Sequence, residues 1–331
     1  MKALVIGGSG FIGSHIVDKL LTLGHSVRVF DRQVEKFRGP LRGVDYRFGC
    51  FRDRMALVEA LTGVEAVYHL VSTTLPGTAD LDVKTDIQDN LIGAINLLES
   101  MCGLDVRRIL FLSSGGTVYG IPNIVPIPET HPLRPISSYG IVKASIEHYL
   151  EMYRRTRGIS PIIVRASNPF GSRQAHSGVQ GVISTFLRQV LAGDPIEIWG
   201  DGSIVRDYFD VNDLAEFCAR AGTARGEGAY NVGSGRGMSI NEIVEAVRKV
   251  TGSDCETIHK PSRPIDVPRS VLDCSRAKSD FGWECKVDFD SALRSTWEWL
   301  RTHDGARRSA RGPGEALIGR LPSKISTLNF S

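Results

Sequence analysis

A short, mostly apolar run with β-branched members, Lys2-Ala-Leu-Val-Ile6, leads directly into Gly7-Gly8-Ser9-Gly10-Phe11-Ile12-Gly13. A helical pattern follows, with apolar residues at 12, 16, 17, 20, 21 and 23 and a stop at Gly24. Ser26–Phe30 then reads as a second strand that ends on Asp31. Strand, glycine-rich turn, helix, strand and acid make up a dinucleotide-binding unit. The glycines let the backbone turn tightly, approach a pyrophosphate and pack the helix on the sheet. The helix N-terminus then faces the phosphates. Asp31 lies 21 residues after Gly10, where a carboxylate meets the adenosine ribose hydroxyls. That position favours NAD over NADP, because a 2′-phosphate would be repelled; Arg32, directly after it, softens the preference.

The stretch Ser137-Ser138-Tyr139-Gly140-Ile141-Val142-Lys143 sets a phenol and an ammonium four residues apart. On a helix both lie on one face, one turn apart. An isolated Tyr, with pKa about 10, is a poor base at neutral pH. A neighbouring cation favours the phenolate, so the pair suits removal of a proton from an alcohol. A solvated Tyr and Lys on an amphipathic helix would have the same spacing, so the reading depends on the glycine turn upstream.

Strand patterns recur at 44–48, 65–71, 107–113 and 160–166. Helical patterns fall at 54–61, 86–102, 138–156 and 180–192. The alternation predicts an α/β chain with a Rossmann-type, doubly wound parallel sheet. Beyond about residue 165 it loosens. Short strands near 196–199, 207–210 and 229–232 mix with helices near 212–221, 239–250, 275–281 and 288–301. The expected division is a cofactor-binding domain over 1–165, with a returning segment near 205–232, and a smaller discontinuous lobe over 166–303 that binds substrate. Residues 304–331, with Arg307, Arg308, Arg311 and Arg320 among Gly, Ser and Pro, read as a flexible tail. A net charge of +3 gives no case for nucleic acid or an anionic membrane. No apolar run reaches the roughly 18 residues of a membrane span. The strand pattern starting at Lys2 leaves no room for a signal peptide, and six scattered cysteines form no metal-ligand or Cys-x-x-Cys spacing. A cytoplasmic protein with reduced thiols and no metal is expected.

With Gly7, Gly10, Gly13, Asp31, Tyr139 and Lys143 in place, the chain resembles the extended short-chain dehydrogenase/reductase family, and within it the NAD-dependent nucleotide-sugar epimerases and dehydratases. The resemblance covers roughly residues 1–300. Further matching runs are His69-Leu70-Val71-Ser72 at the end of the fourth strand, Asn90-Leu-Ile-Gly93, and Ser113-Ser114-Gly115-Gly116-Thr117-Val118-Tyr119-Gly120 after the fifth strand. Arg165-Ala-Ser-Asn168-Pro-Phe-Gly171, Arg206-Asp207-Tyr208 and Arg263-Pro-Ile-Asp266 complete the set.

The resemblance implies NAD-dependent 4-epimerisation of a UDP-hexose or UDP-N-acetylhexosamine through a transient 4-keto sugar. Tyr139 would be the base and Lys143 its electrostatic partner. The cofactor would meet Gly7, Gly10, Phe11, Ile12, Gly13, Asp31, Arg32, Cys50, Phe51, Leu70, Val71, Ser72, Asn90, Ser113, Tyr139 and Lys143. The UDP-sugar would meet Asn168, Val182, Trp199, Arg206, Arg263, Asp266 and Ser270. In the epimerases the residue four after the Asp of the last motif forms a wall of the sugar pocket. Ser270 stands there, small enough to leave room for an acetamido group. Helices 86–102 and 138–156 are the pair through which this family forms homodimers.

The chain departs from the family pattern in three places. Gly115 stands where the epimerases carry a hydroxyl that relays the sugar proton to Tyr. Ser114 and Thr117 are the nearby hydroxyls left to do it, and Gly115→Ser is expected to be tolerated. Cys50 replaces the frequent Asp that meets adenine, and thiols are poor acceptors. Val142 stands beside Lys143 where Ser is frequent. Two other enzyme readings share the scaffold. A 4,6-dehydratase carries an Asp-Glu pair where this chain has Gly116-Thr117, and a keto-sugar reductase would favour NADPH and release it each cycle. A dinucleotide-sensing protein without catalysis is the alternative of another class.

Overall fold

The structure is a computed structural model that describes residues 1–74, 78–174, 181–224, 226–262 and 267–310. The first half runs β1 (Lys2–Ile6), α1 (Phe11–Thr22), β2 (Ser26–Asp31), β3 (Asp45–Phe48), α2 (Arg54–Leu61) and β4 (Ala66–His69). A 3₁₀ turn (Ala79–Leu81), α3 (Val83–Asp86), a π-helical segment (Ile87–Ile92), α4 (Gly93–Gly103), β5 (Arg108–Ser114), α5 (Ser138–Arg157) and β6 (Ser160–Ala166) follow. The second half runs β7 (Asn168–Phe170), α6 (Val182–Ala192), β8 (Ile196–Trp199), β9 (Val205–Asp210), α7 (Val211–Thr223), β10 (Gly228–Val232), β11 (Gly237–Ser239), α8 (Ile240–Thr251), β12 (Thr257–Lys260), β13 (Arg269–Ser270), α9 (Ser275–Phe281) and α10 (Phe289–Ala310).

Seven strands form one parallel sheet in the order β10-β6-β5-β4-β1-β2-β3. The central strands are apolar along their length, as a sheet covered on both faces requires. On one face, Ile16, Val17 and Leu20 of α1 meet Leu214, Phe217 and Cys218 of α7 over Val5, Val29 and Val164. On the other, Leu57, Leu97, Met101, Ile146 and Leu150 pack from α2, α4 and α5 onto Leu4, Ile6, Val67 and Phe111. The order reverses between β1 and β4, so their C-terminal ends open a crevice at the switch point.

A second core of Phe170, Phe186, Leu187, Ile198, Val244, Val247, Leu293 and Leu300 holds α6, α8 and α10 together. It sits with a smaller sheet in which β9 pairs with β7, β11 and β13, and with the two-stranded β8–β12 ladder. Strands of two or three residues, β7, β11 and β13, carry no readable period and are absent from the sequence reading. Where one helix was expected at 86–102, the chain makes α3, a π-helical segment and α4. Helix α10 extends to Ala310, past the expected start of the tail at 304; residues 311–331 lie outside the described residues. Among the described residues no helix is long and apolar enough to cross a membrane, and no cluster of His, Cys, Asp or Glu has metal-site geometry.

Candidate active site

The turn after β1 is shaped by two close approaches. Gly7 has φ +85°, a conformation L side chains rarely adopt. A Cβ on Gly13 would stand 2.1 Å from the Gly7 carbonyl oxygen, so only glycine lets α1 seat against the turn. Asp31 ends β2 beside it. One Asp31 carboxylate oxygen accepts from the Ser9 N–H at 3.1 Å and the other from the Arg32 N–H at 2.7 Å. The Ser9 hydroxyl is buried with no partner among the described residues.

A cleft of about 660 Å³ opens over these strand ends. It brings together Gly7, Gly10, Phe11, Ile12, Gly13, Leu70, Ser72, Ser113, Ser114, Tyr139 and Lys143 from the sheet half with Asn168, Val182, Trp199 and Arg206 from the smaller lobe. An adjoining cavity of about 240 Å³ is lined by Asp31, Arg32, Cys50, Phe51 and Val71. A glycine turn at a helix N-terminus, an acid at the end of the second strand and a long crevice between two lobes fit a dinucleotide.

Tyr139 and Lys143 face the cleft from the first turns of α5. Ser137 caps this helix by accepting from the Gly140 N–H. Lys143 is 4% exposed; its Nζ donates to the Leu112 carbonyl at 2.9 Å, lies 4.7 Å above the Phe111 ring and 5.6 Å from the centre of the Tyr139 ring. Burial pulls the ammonium down to about 8, while Asp86 and Glu147 oppose that fall. The phenol moves the other way from the expectation. Burial, followed by the Asp86 carboxylate, pushes Tyr139 up to about 12. In the protein alone the lysine one turn away does not bring the phenol near neutrality.

Several expected residues stand elsewhere. Asn90 lines neither cavity. It is buried, its Oδ1 accepting from the Thr73 N–H at 2.9 Å and its Nδ2 donating to Asp86 at 2.8 Å. Gly93, its motif partner, makes room for a ring: a Cβ there would lie 2.7 Å from Phe51. Phe51 in turn stacks on His69, with ring centres 4.9 Å apart. Cys50 sits in the smaller cavity, its thiol drawn below its ordinary range by the Arg52 N–H.

Ser114 lines the cleft, whereas Thr117 does not, and the Thr117 hydroxyl is buried without a partner among the described residues. Gly115 is tightly enclosed. A Cβ on it would meet Leu272 Cδ1 at 2.6 Å and the Arg165 carbonyl at 3.0 Å, so a serine there requires the Leu272 side chain to shift. Ser270 is 5% exposed and opposite Arg206 in the β9–β13 ladder, and is not part of the cleft wall as expected. Arg206 donates to the carbonyls of Val205 and Val267, and Asn168 to the Asp207 carbonyl. Arg263 and Asp266 lie outside the described residues.

Two of the groups that the sequence reading missed bear on the chemistry. Tyr208 lines the cleft within a motif noted only for its Arg. Asp86, fully buried beside the Tyr–Lys pair, carried no signal of its own in the helical run.

A profile of the NAD dependent epimerase/dehydratase family matches residues 3–233. A UDP-glucose 4-epimerase of Mycolicibacterium smegmatis is 34% identical over 313 residues, spanning 91% of this chain and 99% of that protein. The crystal structure of a UDP-glucose 4-epimerase of Thermotoga maritima with UDP-glucose is similar with a TM-score of 0.87 and 36% identity, covering 91% of this chain and 99% of that one. A Thermus thermophilus UDP-glucose 4-epimerase in complex with NAD is similar with a TM-score of 0.86 and 36% identity, covering 92% and 100%.

Proposed function

This chain belongs to the NAD-dependent epimerase/dehydratase family, and on that premise we propose that it interconverts UDP-hexoses at C4, with UDP-N-acetylhexosamines as further substrates. The observation that carries the reading is a single cleft that joins the glycine turn, the Tyr139–Lys143 pair and the Trp199–Arg206 side of the smaller lobe.

NAD, when bound, would supply the reversible two-electron exchange with C4 and a positive charge in the cleft. The α1 N-terminus and the Gly7–Gly13 turn would hold its pyrophosphate, Asp31 its adenosine ribose and Phe51 its adenine. Tyr139 takes the proton of the 4-hydroxyl and returns it after the sugar has presented its other face. Because burial and Asp86 hold its phenol high, Tyr139 needs added positive charge to act near neutral pH; Lys143 contributes one share. Ser114, on the cleft wall, is the hydroxyl we assign to proton relay in place of the one missing at Gly115. Trp199 offers a flat apolar face to the uracil, Arg206 a cation to the diphosphate, and Asn168 and Val182 flank the sugar.

The cofactor half comprises residues 1–165 with the returning 205–232 segment, and the substrate lobe spans mainly 166–303. The protein works in the cytoplasm as a homodimer. Six free cysteines suit a reducing compartment. Ile141, Tyr149 and Met152 make an exposed apolar stripe along α5, 53%, 37% and 44% exposed, which a second copy would cover. Elimination is disfavoured because Gly116-Thr117 offers no acid and base for C5 and C6. Incubation with UDP-galactose and chromatographic analysis tests the reading. UDP-glucose should appear with no net change in reduced nicotinamide; a 4-keto-6-deoxy product or stoichiometric cofactor turnover would assign the chain to another branch.

A further inference from the structure

Asp86 is completely buried, and its carboxylate collects donors from three directions. The Ser138 hydroxyl donates to one oxygen at 2.6 Å; the Thr74 hydroxyl and Asn90 Nδ2 donate to the other at 2.7 and 2.8 Å. With every partner a donor, the group acts as an acceptor-only carboxylate. Ser138 is itself buried and immediately precedes Tyr139. Its backbone N–H, one of the groups a helix start leaves unpaired, donates to Asp80 at 2.7 Å. Two carboxylates from the segment before the π-helical turn therefore grip one residue at the positive end of α5, where negative charge is favoured.

We propose that Asp86 is a positioning residue for the epimerisation: it fixes Tyr139 through Ser138 and supplies a buried negative charge that acts on the phenol and on Lys143 together. The inference rests on the functional reading above. Asp86 opposes ionisation of Tyr139 and favours the charged form of Lys143. Its effect on both groups has the same sign, since each is driven toward its protonated form. The other charges around the pair are Glu147 on α5, paired with Arg165 of β6, and Asp80, which grips Ser138; Asp89, near Asp86, is paired with Arg52. His69 on β4, whose imidazole burial pulls down to about 3, stays neutral there. The device ties the base to the loaded enzyme. With Asp86 in place, Tyr139 stays protonated until further positive charge enters the cleft.

The test compares Asp86→Asn and Ser138→Ala in the purified full chain. Each is checked for retained NAD and for its melting temperature, and then read by the pH profile of kcat and by ultraviolet titration of the phenolate. Both variants break the Ser138–Asp86 bond, but only the first removes the charge. Asp86→Asn should move both limbs of the profile to lower pH by about one unit, a tenfold change in phenolate at fixed pH. Ser138→Ala should lower kcat several-fold with the limbs in place. Should the amide not fold, Asp86→Ser removes the same charge and carries the same expectation. Limbs that stay put in the neutral variants, or that move equally in Ser138→Ala, would overturn the proposal. The phenolate titration needs no sugar, so it separates failure of this proposal from failure of the epimerase reading.

Discussion

Leu272 occupies the space into which a side chain at Gly115 would project, its Cδ1 2.6 Å from where that Cβ would stand. The position that carries a relay hydroxyl in similar epimerases is therefore closed by an apolar side chain that is itself 1% exposed. Gly115→Ser should destabilise the fold by about 1–3 kcal/mol, the scale of overpacking a buried site, and should lower turnover. The double variant with Leu272→Ala should recover part of the melting temperature. A Gly115→Ser enzyme as stable and as fast as the parent would show that Leu272 yields freely.

With position 115 closed, Ser114 is the cleft hydroxyl we assign to the proton relay. Ser114→Ala should reduce kcat by about 10–100-fold, the lower range of general acid–base assistance. Thr117→Val should leave kcat within a fewfold and should not lower the melting temperature, because it replaces a buried hydroxyl that has no partner among the described residues. Steady-state kinetics and thermal melting of the two variants decide; the reverse ranking would assign the relay to Thr117.

Tyr139→Phe removes the hydroxyl we assign as the base while keeping the ring. Activity should fall by at least about 100-fold, and copurified NAD, measured by release on denaturation, should remain. Retention of more than about a tenth of the activity, a loss under 1.4 kcal/mol, would mean another group takes the proton.

Acid should unfold the protein partly through its buried imidazoles. Burial pulls His69 down to about 3 and His15 down to about 4, from an ordinary 6.5. The unfolded chain binds these protons more readily, so stability falls as pH drops below 6.5, and the loss is complete only near the folded values. Each fully titrating group contributes about 1.4 kcal/mol per pH unit within that window. His69→Leu should flatten the dependence of melting temperature on pH between 6 and 4, about the range where this slope acts. An unchanged slope would show that His69 is already free to protonate in the folded state. Lys143 works in the same sense higher up: the stability it costs below about 8 is regained as pH rises through 10.5.

Met152→Glu places a charge in the exposed stripe of α5. Light scattering should give twice the chain mass for the parent and the single-chain mass for the variant. A monomeric parent would contradict the homodimer.

The nucleotide half was legible because its signals are local. The Gly7–Gly13 turn is dictated by backbone space, Asp31 by the strand that precedes it, and the Tyr139–Lys143 pair by one helical turn. What stayed hidden depends on contacts between distant segments. Asp86 meets Ser138 across 52 residues of chain. Leu272 closes on Gly115 from the far end of the sequence, and the burial that pushes Tyr139 upward exists only once the helix is packed. Asn90 shows the limit of a motif: its position was readable, but its bonds to Thr73 and Asp86 were not. The π-helical turn over Ile87–Ile92 was masked because its apolar spacing blends into the neighbouring helix.

The most direct measurement follows the hydrogen at C4. UDP-galactose deuterated at C4 is incubated with the protein, and the sugar nucleotides are analysed by NMR and mass spectrometry. The account predicts an equilibrium mixture of UDP-glucose and UDP-galactose that keeps the deuterium at C4, with no net reduction of the cofactor. Wash-out of the label into water, or a product altered at any carbon other than C4, would contradict it.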